Sequence, residues 1–156
     1  MSNDNQKPFG EKAIFKRPNI VATVFQCVSD RAKKEALNVD FARNPNNYPD
    51  LVNKSTIQLS IDELPLLVAL FMGLVQTANF AYHGPKNNNS LVVHRNKNDN
   101  IISFRFELFI AGNKIGFIEL TQMEAFRVYK LSLKQLSSFY QQREKEVIDS
   151  IKHFYI

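Results

Sequence analysis

The sequence predicts an α+β fold built from a duplicated ββββα unit: two antiparallel four-stranded sheets, each followed by a helix. Three observations predict it. The junctions "TIQLSIDEL" (56–64) and "GFIELTQMEA" (116–125) repeat one pattern, with an alternating apolar run, a hydroxyl residue, two spacers and a glutamate. Several short β-like runs separated by turn-rich stretches precede each junction. An apolar segment long enough for a helix follows each one.

The junctions have a clear local chemistry. Ile57-Gln58-Leu59 and Ile118-Glu119-Leu120 alternate apolar and polar, as a half-buried strand does. Ser60-x-x-Glu63 and Thr121-x-x-Glu124 then read as capping boxes, in which the hydroxyl accepts from a first-turn N–H and the glutamate reaches back to the cap. The two hydroxyls stand 61 residues apart. Pro65 falls at the fifth position of the first predicted helix, where it removes a needed donor. That helix therefore either starts at Asp62 or is kinked.

Taken in order, residues 1–11 read as a flexible tail and 12–156 as one domain, with repeat units at about 12–78 and 79–156. "AIFKRP" (13–18) and "NIVATVFQCVS" (19–29) are β-rich with a bend at Pro18-Asn19. "DRAKKEA" (30–36) is a charged connection, and "LNVDFAR" (37–43) alternates. "NPNNYPDLVNKS" (44–55) holds two prolines and four asparagines and reads as a loop. A strand from Thr56 and a helix over 61–78 close the first unit. The second unit runs through "NFAYHGPK" (79–86), "LVVHR" (91–95), "IISFRFELFI" (101–110) and "IGFIEL" (115–120), with a hairpin turn at "AGNK" (111–114). In strand 101–110 Ile102, Phe104, Phe106, Leu108 and Ile110 share the core face. Ser103, Arg105, Glu107 and Phe109 point the other way. The last helix starts near Gln122, and Met123, Phe126, Tyr129, Leu133, Leu136 and Tyr140 form an apolar stripe. Whether it continues past the polar "QQREKE" (141–146) is left open by the pattern.

Bulk properties bound the function. The chain has 156 residues, 44% hydrophobic and 22% charged, with a net charge of +5 and a pI near 9.4. A basic excess of this size suits a polyanionic partner. Cys27 is the single cysteine, so no intrachain disulfide can form, and it lies in an apolar run as a buried thiol. No targeting signal or bilayer-length apolar run is legible, and the chain reads as soluble and cytoplasmic, with the bacterial cytoplasm or nucleoid favoured. His83, His94 and His153 lack cysteine or carboxylate neighbours at metal-ligand spacing, and no phosphate loop, dinucleotide loop or nucleophile elbow is present. The expectation is a protein with no catalysis, no cofactor and no metal.

Three stretches carry a resemblance. "AKKEALNVDFARNP" (32–45) is similar to the Lys-Gly-Lys-Ala-Ala-Leu motif, alternating strand and Arg-x-Pro of the Whirly family of single-stranded-DNA-binding proteins. Lys34, Ala36 and Leu37 match, Arg43 and Pro45 fall in the right neighbourhood, and Ala32, Lys33 and Glu35 depart from it. "FAYHGP" (80–85) is similar to the family's aromatic-aromatic-His-Asp-Pro stretch. "FIELTQMEAFRVYKLSLKQL" (117–136) resembles its strand followed by Thr-x-x-Glu-Phe. More distantly, the plan resembles transcriptional-coactivator domains with one ββββα unit per chain. The resemblance covers roughly residues 12–140. It implies sequence-tolerant binding of single-stranded DNA and a homotetramer with helices packed centrally.

Single strands are held by basic grooves and by aromatic faces that stack on unpaired bases. The sequence interleaves both types. The candidate contacts are Lys16 and Arg17, Lys33 and Lys34, Phe41 with Arg43, Tyr82 and His83 with Lys86, His94 and Arg95 with Lys97, and Arg105 with Phe109. Most of the thirteen phenylalanines are needed for the core. RNA on the same platform is the alternative ligand, and a plain interaction protein without nucleic acid is the other reading.

Overall fold

The structure, a computed structural model, describes residues 9–17, 21–43, 50 and 52–155. Among the described residues eight strands and three helices follow in order. β1 (Phe9–Arg17), β2 (Val21–Ser29), β3 (Glu35–Arg43) and β4 (Ser55–Leu59) form one antiparallel meander, and α1 (Leu64–Phe71) follows. β5 (Thr77–His83), β6 (Asn89–Asn98), β7 (Ile101–Ile110) and β8 (Asn113–Thr121) form a second. α2 (Gln122–Tyr140) and α3 (Glu144–Phe154) complete the chain. The doubled sheet-and-helix plan is therefore present, with one helix more. The expected bend at Pro18-Asn19, most of the loop expected at 44–55 and the first eight residues lie outside the described residues.

Register explains which face of each sheet is buried. In the first sheet Phe25 pairs with Val39 and Val39 with Ile57, while Cys27 pairs with Leu37 and Leu37 with Leu59. These side chains all face inward and are buried. In the second sheet Val93 pairs with Phe106 and Phe106 with Ile118, again on the inner face. The two inner faces share one core. Phe25 of the first sheet meets Phe106 of the second edge-to-face at 5.1 Å, and Phe71 of α1 meets Phe104 at 5.1 Å.

The helices cross between the repeats. α1 lies against β5 and β6 of the second sheet, and α2 runs over strands of both sheets. Gln135 on α2 donates from Nε2 to the carbonyls of Val28 (3.0 Å) and Ala36 (2.7 Å), fastening the helix to the β2–β3 hairpin. α1 is apolar nearly all round because α2, α3 and the second sheet surround it within one chain.

Several boundaries differ from those predicted. β1 starts at Phe9, because its pairing with β2 passes a bulge between Phe9 and Lys12 and Gln26 donates to the Gly10 carbonyl at 3.2 Å. α1 starts at Leu64, so Pro65 sits in the first turn, where a missing N–H costs nothing. It stops at Phe71 instead of 78. Gly73 takes φ +81°, its N–H bonds to Leu70 O, and the Leu74 N–H bonds to Ala69 O at 2.9 Å. That is a Schellman ending, with apolar Leu74 after the glycine. α2 does break where the pattern turned polar. Gln141 adopts φ +52° and the Gln142 N–H closes on Ser137 O at 3.1 Å. α3 then buries Val147 and Ile151 and places Glu144 and Glu146 in its first turn, Lys152 and His153 in its last, as the helix dipole favours. Among the described residues no helix is long and apolar enough to cross a membrane.

The predicted stripe on α2 divides. The helix buries Ala125, Val128, Leu131, Ser132, Leu133, Gln135 and Leu136. Met123 and Phe126 are 85% and 60% exposed, and Tyr140 is also exposed.

Candidate nucleic-acid interface

Alternation in the second sheet assembles a polar outer face. Thr77 pairs with His94, His94 with Arg105 and Arg105 with Glu119, making one row across four strands. Asn79, Val92, Glu107 and Phe117 make the next, and Ser90, Phe109 and Lys114 the one after. Within this face His94 is held between Thr77 Oγ1, 3.3 Å from its Nδ1, and Glu107 Oε1, 2.8 Å from its Nε2. Arg105 Nε lies 3.5 Å from Glu107 Oε2, and Lys114 Nζ forms a tighter ion pair with the same oxygen. The Lys114 hydrogen bond holds the Glu107 carboxyl below the usual carboxylate range, against an opposing push from burial. Ser103 Oγ donates to Glu119 at 2.7 Å.

An aromatic ring stands at the centre of these charges. Phe117 is 44% exposed. The Arg105 guanidinium stacks on it at 4.0 Å from the ring centroid, and Lys114 Nζ is 5.3 Å away. A cation over a phenyl face is attracted by the ring quadrupole. Beside Phe117 a cleft of about 310 Å³ opens between the two sheets, with Ile115 and Gly116 on one wall and Arg43, Asn53 and Ser55 on the other. Phe41 forms part of its lining, and a Cβ added at Gly116 would stand 3.7 Å from the Phe41 ring.

The candidate residues distribute unevenly. His94, Arg105 and Phe109 come together on the outer face of the second sheet, and Arg43 reaches the cleft beside them. Phe41 points inward and is buried. Arg95 neighbours His94 in sequence but faces inward, toward Gly73 and a cavity of about 220 Å³ walled by Phe71, Phe104 and Tyr129. Lys97 is exposed near the end of β6. Lys16 lies exposed on β1, whereas Arg17 bonds the Glu124 carboxylate at 2.8 and 3.1 Å and the Glu119 carbonyl at 2.6 Å. Lys33 and Lys34 occupy the β2–β3 turn, with Lys33 at φ +61°. Lys34, just before β3, stands ~30 Å from Arg43 at a strand's rise per residue.

The edge strand β5 gathers another group. Tyr82 is 83% exposed at φ +65°, beside a register shift between Phe80 and His83. His83 Nε2 is 2.8 Å from Glu63 Oε2, which ties the strand to the start of α1. Lys86 lies exposed in the following turn.

Lys114 and Phe117 were missed by sequence reasoning. The alternation Phe117-Ile118-Glu119-Leu120 already places Phe117 on the face opposite two core residues, so the signal was present. Lys114 needed the register, because a bulge after Leu108 sets Phe109 opposite Lys114.

The fold finds a counterpart in that of WHY1 from Arabidopsis thaliana. The two chains are 17% identical and superpose with a TM-score of 0.61, covering 93% of this chain and 92% of the other. At that identity the likeness is one of fold. No protein-family model matches the sequence, and no curated protein matches it.

Among the described residues no three His, Cys, Asp or Glu side chains cluster as a metal site. Cys27 is buried, and burial pushes its thiol up to about 11, which leaves it protonated at neutral pH.

Proposed function

We propose that this chain binds single-stranded nucleic acid, single-stranded DNA first, without catalysis. It does so through the outer face of the second sheet and the adjoining cleft. The observation that carries the reading is the exposed Phe117 ring with Arg105 and Lys114 over and beside it, on an open sheet face. Unpaired bases stack on such a ring, and the two cations with Arg43 meet the backbone phosphates. Little of this depends on base identity, so binding is largely sequence-independent. The role that follows is to protect or organise exposed strands in replication, repair, recombination or transfer. The fold shared with WHY1 and the resemblance of "AKKEALNVDFARNP" to the Whirly motif support the same reading. A homo-oligomer, a tetramer in the favoured form, is part of it. Ile101, Met123 and Phe126 are exposed large hydrophobics, Ile101 and Met123 lining one cleft and Phe126 one turn further along α2, and light scattering at micromolar concentration tests it.

A gel-shift panel of single-stranded DNA, duplex DNA and RNA of equal length tests the binding. Preference for single-stranded DNA is the expected result. Equal affinity for duplex counts against stacking, tighter RNA binding replaces the ligand, and no binding at low salt overturns the reading in favour of an interaction protein.

A further inference from the structure

The cations on the outer face of the second sheet are not free for a ligand. Arg105, Lys114 and His94 all converge on the carboxylate of Glu107. The Glu107 side chain is 13% exposed, against 32% for Arg105 and 38% for Lys114. The carboxylate therefore sits beneath the cations, where the local dielectric is lower and its hold is stronger. Arg105 is engaged a second time, since its guanidinium covers the Phe117 ring. Glu119 lies across from Arg105 on the same face. Two fixed cations, Arg105 and Lys114, thus share the face with two carboxylates, of which Glu107 holds both and Glu119 bonds Ser103, and the face sums to zero when His94 is neutral. The +5 of the whole chain is not concentrated here.

Such a circuit discriminates among polyanions. To engage the face, a ligand must replace Glu107 at Arg105 and Lys114 and replace Arg105 at Phe117. A single strand brings phosphates for the first exchange and an unpaired base for the second. A duplex brings phosphates alone, because its bases are stacked inward. We propose that Glu107 is a specificity-determining counter-ion, which withholds the cations of this face from any anion that does not also supply a base for Phe117. This deepens the single-strand reading and rests on it.

The test compares the intact protein with Glu107→Gln and Glu119→Gln by fluorescence anisotropy. The probes are a labelled oligothymidylate and a labelled duplex of equal length. Each substitution adds the same unit of net charge, so Glu119→Gln controls for charge alone. Glu107→Gln is expected to tighten duplex binding about tenfold at low salt and single-strand binding less, so that selectivity falls. Its duplex salt slope should steepen by about 0.9, one further phosphate neutralised, while its single-strand slope stays that of the parent. Glu119→Gln should leave selectivity within about twofold of the parent, because its carboxylate is exposed and screened. If the parent binds the oligothymidylate but Glu107→Gln keeps its selectivity, or loses no more than Glu119→Gln does, the inference is overturned and the single-strand reading stands. If the parent binds neither probe at low salt, both fall. Should Glu107→Gln fail to fold, the paired Glu107→Gln/Lys114→Gln leaves no charge stranded. It is expected to be less selective than Lys114→Gln alone, and equal selectivity overturns the proposal.

Discussion

Phe117 and Arg105 touch, yet they should fail differently when removed. Phe117→Ala takes away a stacking surface, worth about 1–3 kcal/mol per base, and should leave the salt dependence of single-strand binding unchanged. Arg105→Ala removes a phosphate contact and should flatten that slope by about 0.7. Anisotropy titrations at several salt concentrations separate the two, and identical slopes for both variants would refute the division of labour. Thermal stability should move little in either case, because both side chains sit on an outer face. Another residue-scale prediction concerns the β7–β8 hairpin. Ile110 pairs with Asn113 across a two-residue loop, with Ala111 at φ +52° and Gly112 at φ +81°. A loop with both residues at positive φ favours Asn-Gly. Ala111 holds a left-handed conformation that costs a side-chain-bearing residue about 1 kcal/mol, and asparagine tolerates it better. Ala111→Asn should raise the melting temperature by about 2–4 °C, measured by calorimetry.

At the scale of elements, the repeated junctions differ: the second forms the whole expected capping box, and the first only its glutamate half, the Glu63 N–H bonding the Ser60 carbonyl and not its hydroxyl. Thr121 caps α2 in full: its hydroxyl accepts from the Glu124 N–H at 3.1 Å, and the Glu124 carboxylate accepts from the Thr121 N–H at 3.0 Å. At the first junction Glu63 accepts from the Ser60 N–H at 3.0 Å, but residues 61–63 form a turn and the helix waits until Leu64. Proline dictates this delay, since it is acceptable only within the first turn. Burial pushes the Glu124 carboxyl upward, but hydrogen bonds from Arg17 and the Thr121 N–H outweigh it and leave it below the ordinary range. Burial raises Glu63 likewise, and His83 with the Ser60 N–H more than compensates. A carboxyl lowered on folding contributes stability that is complete above its unfolded value, about 4.3, and lost as pH falls through the folded value. Glu124→Gln should therefore melt below the parent at neutral pH, and the gap should close as pH drops below ~4. A gap that persists undiminished at the lowest pH would show that the charge of Glu124 contributes nothing.

For the whole molecule, the duplication in sequence is not a division in space. α1, from the first unit, lies against the second sheet, and α2, from the second, runs across both. Phe25 and Phe106 join the sheets within one core. Each half alone leaves an apolar sheet face without its helix, so a fragment spanning residues 12–78 should not fold. The intact chain should unfold in a single transition seen alike by far-UV circular dichroism and tyrosine fluorescence. A folded fragment, or two separated transitions, would show instead that each repeat closes its own core.

Elements defined by local periodicity were legible in the sequence. The two-residue alternation of strands 37–43 and 101–110, the hairpin at 111–114 and the capping box at Thr121 depend only on neighbours a few residues apart, and each is present. The end of α1 at Gly73-Leu74 was not read, because apolar residues run on both sides of the glycine and carried the expected helix to 78. The face on which Arg105 stands followed from alternation alone. Its partners did not. That Lys114 meets Glu107, that Phe117 lies under Arg105, that Arg43 reaches the same cleft while Lys34 stands far along β3, and that Arg17 serves Glu124 all depend on strand register and on how one sheet is set against the other. Those are decided by the shared core, through contacts between residues such as Phe25 and Phe106 that lie far apart in the chain, and no local pattern encodes them.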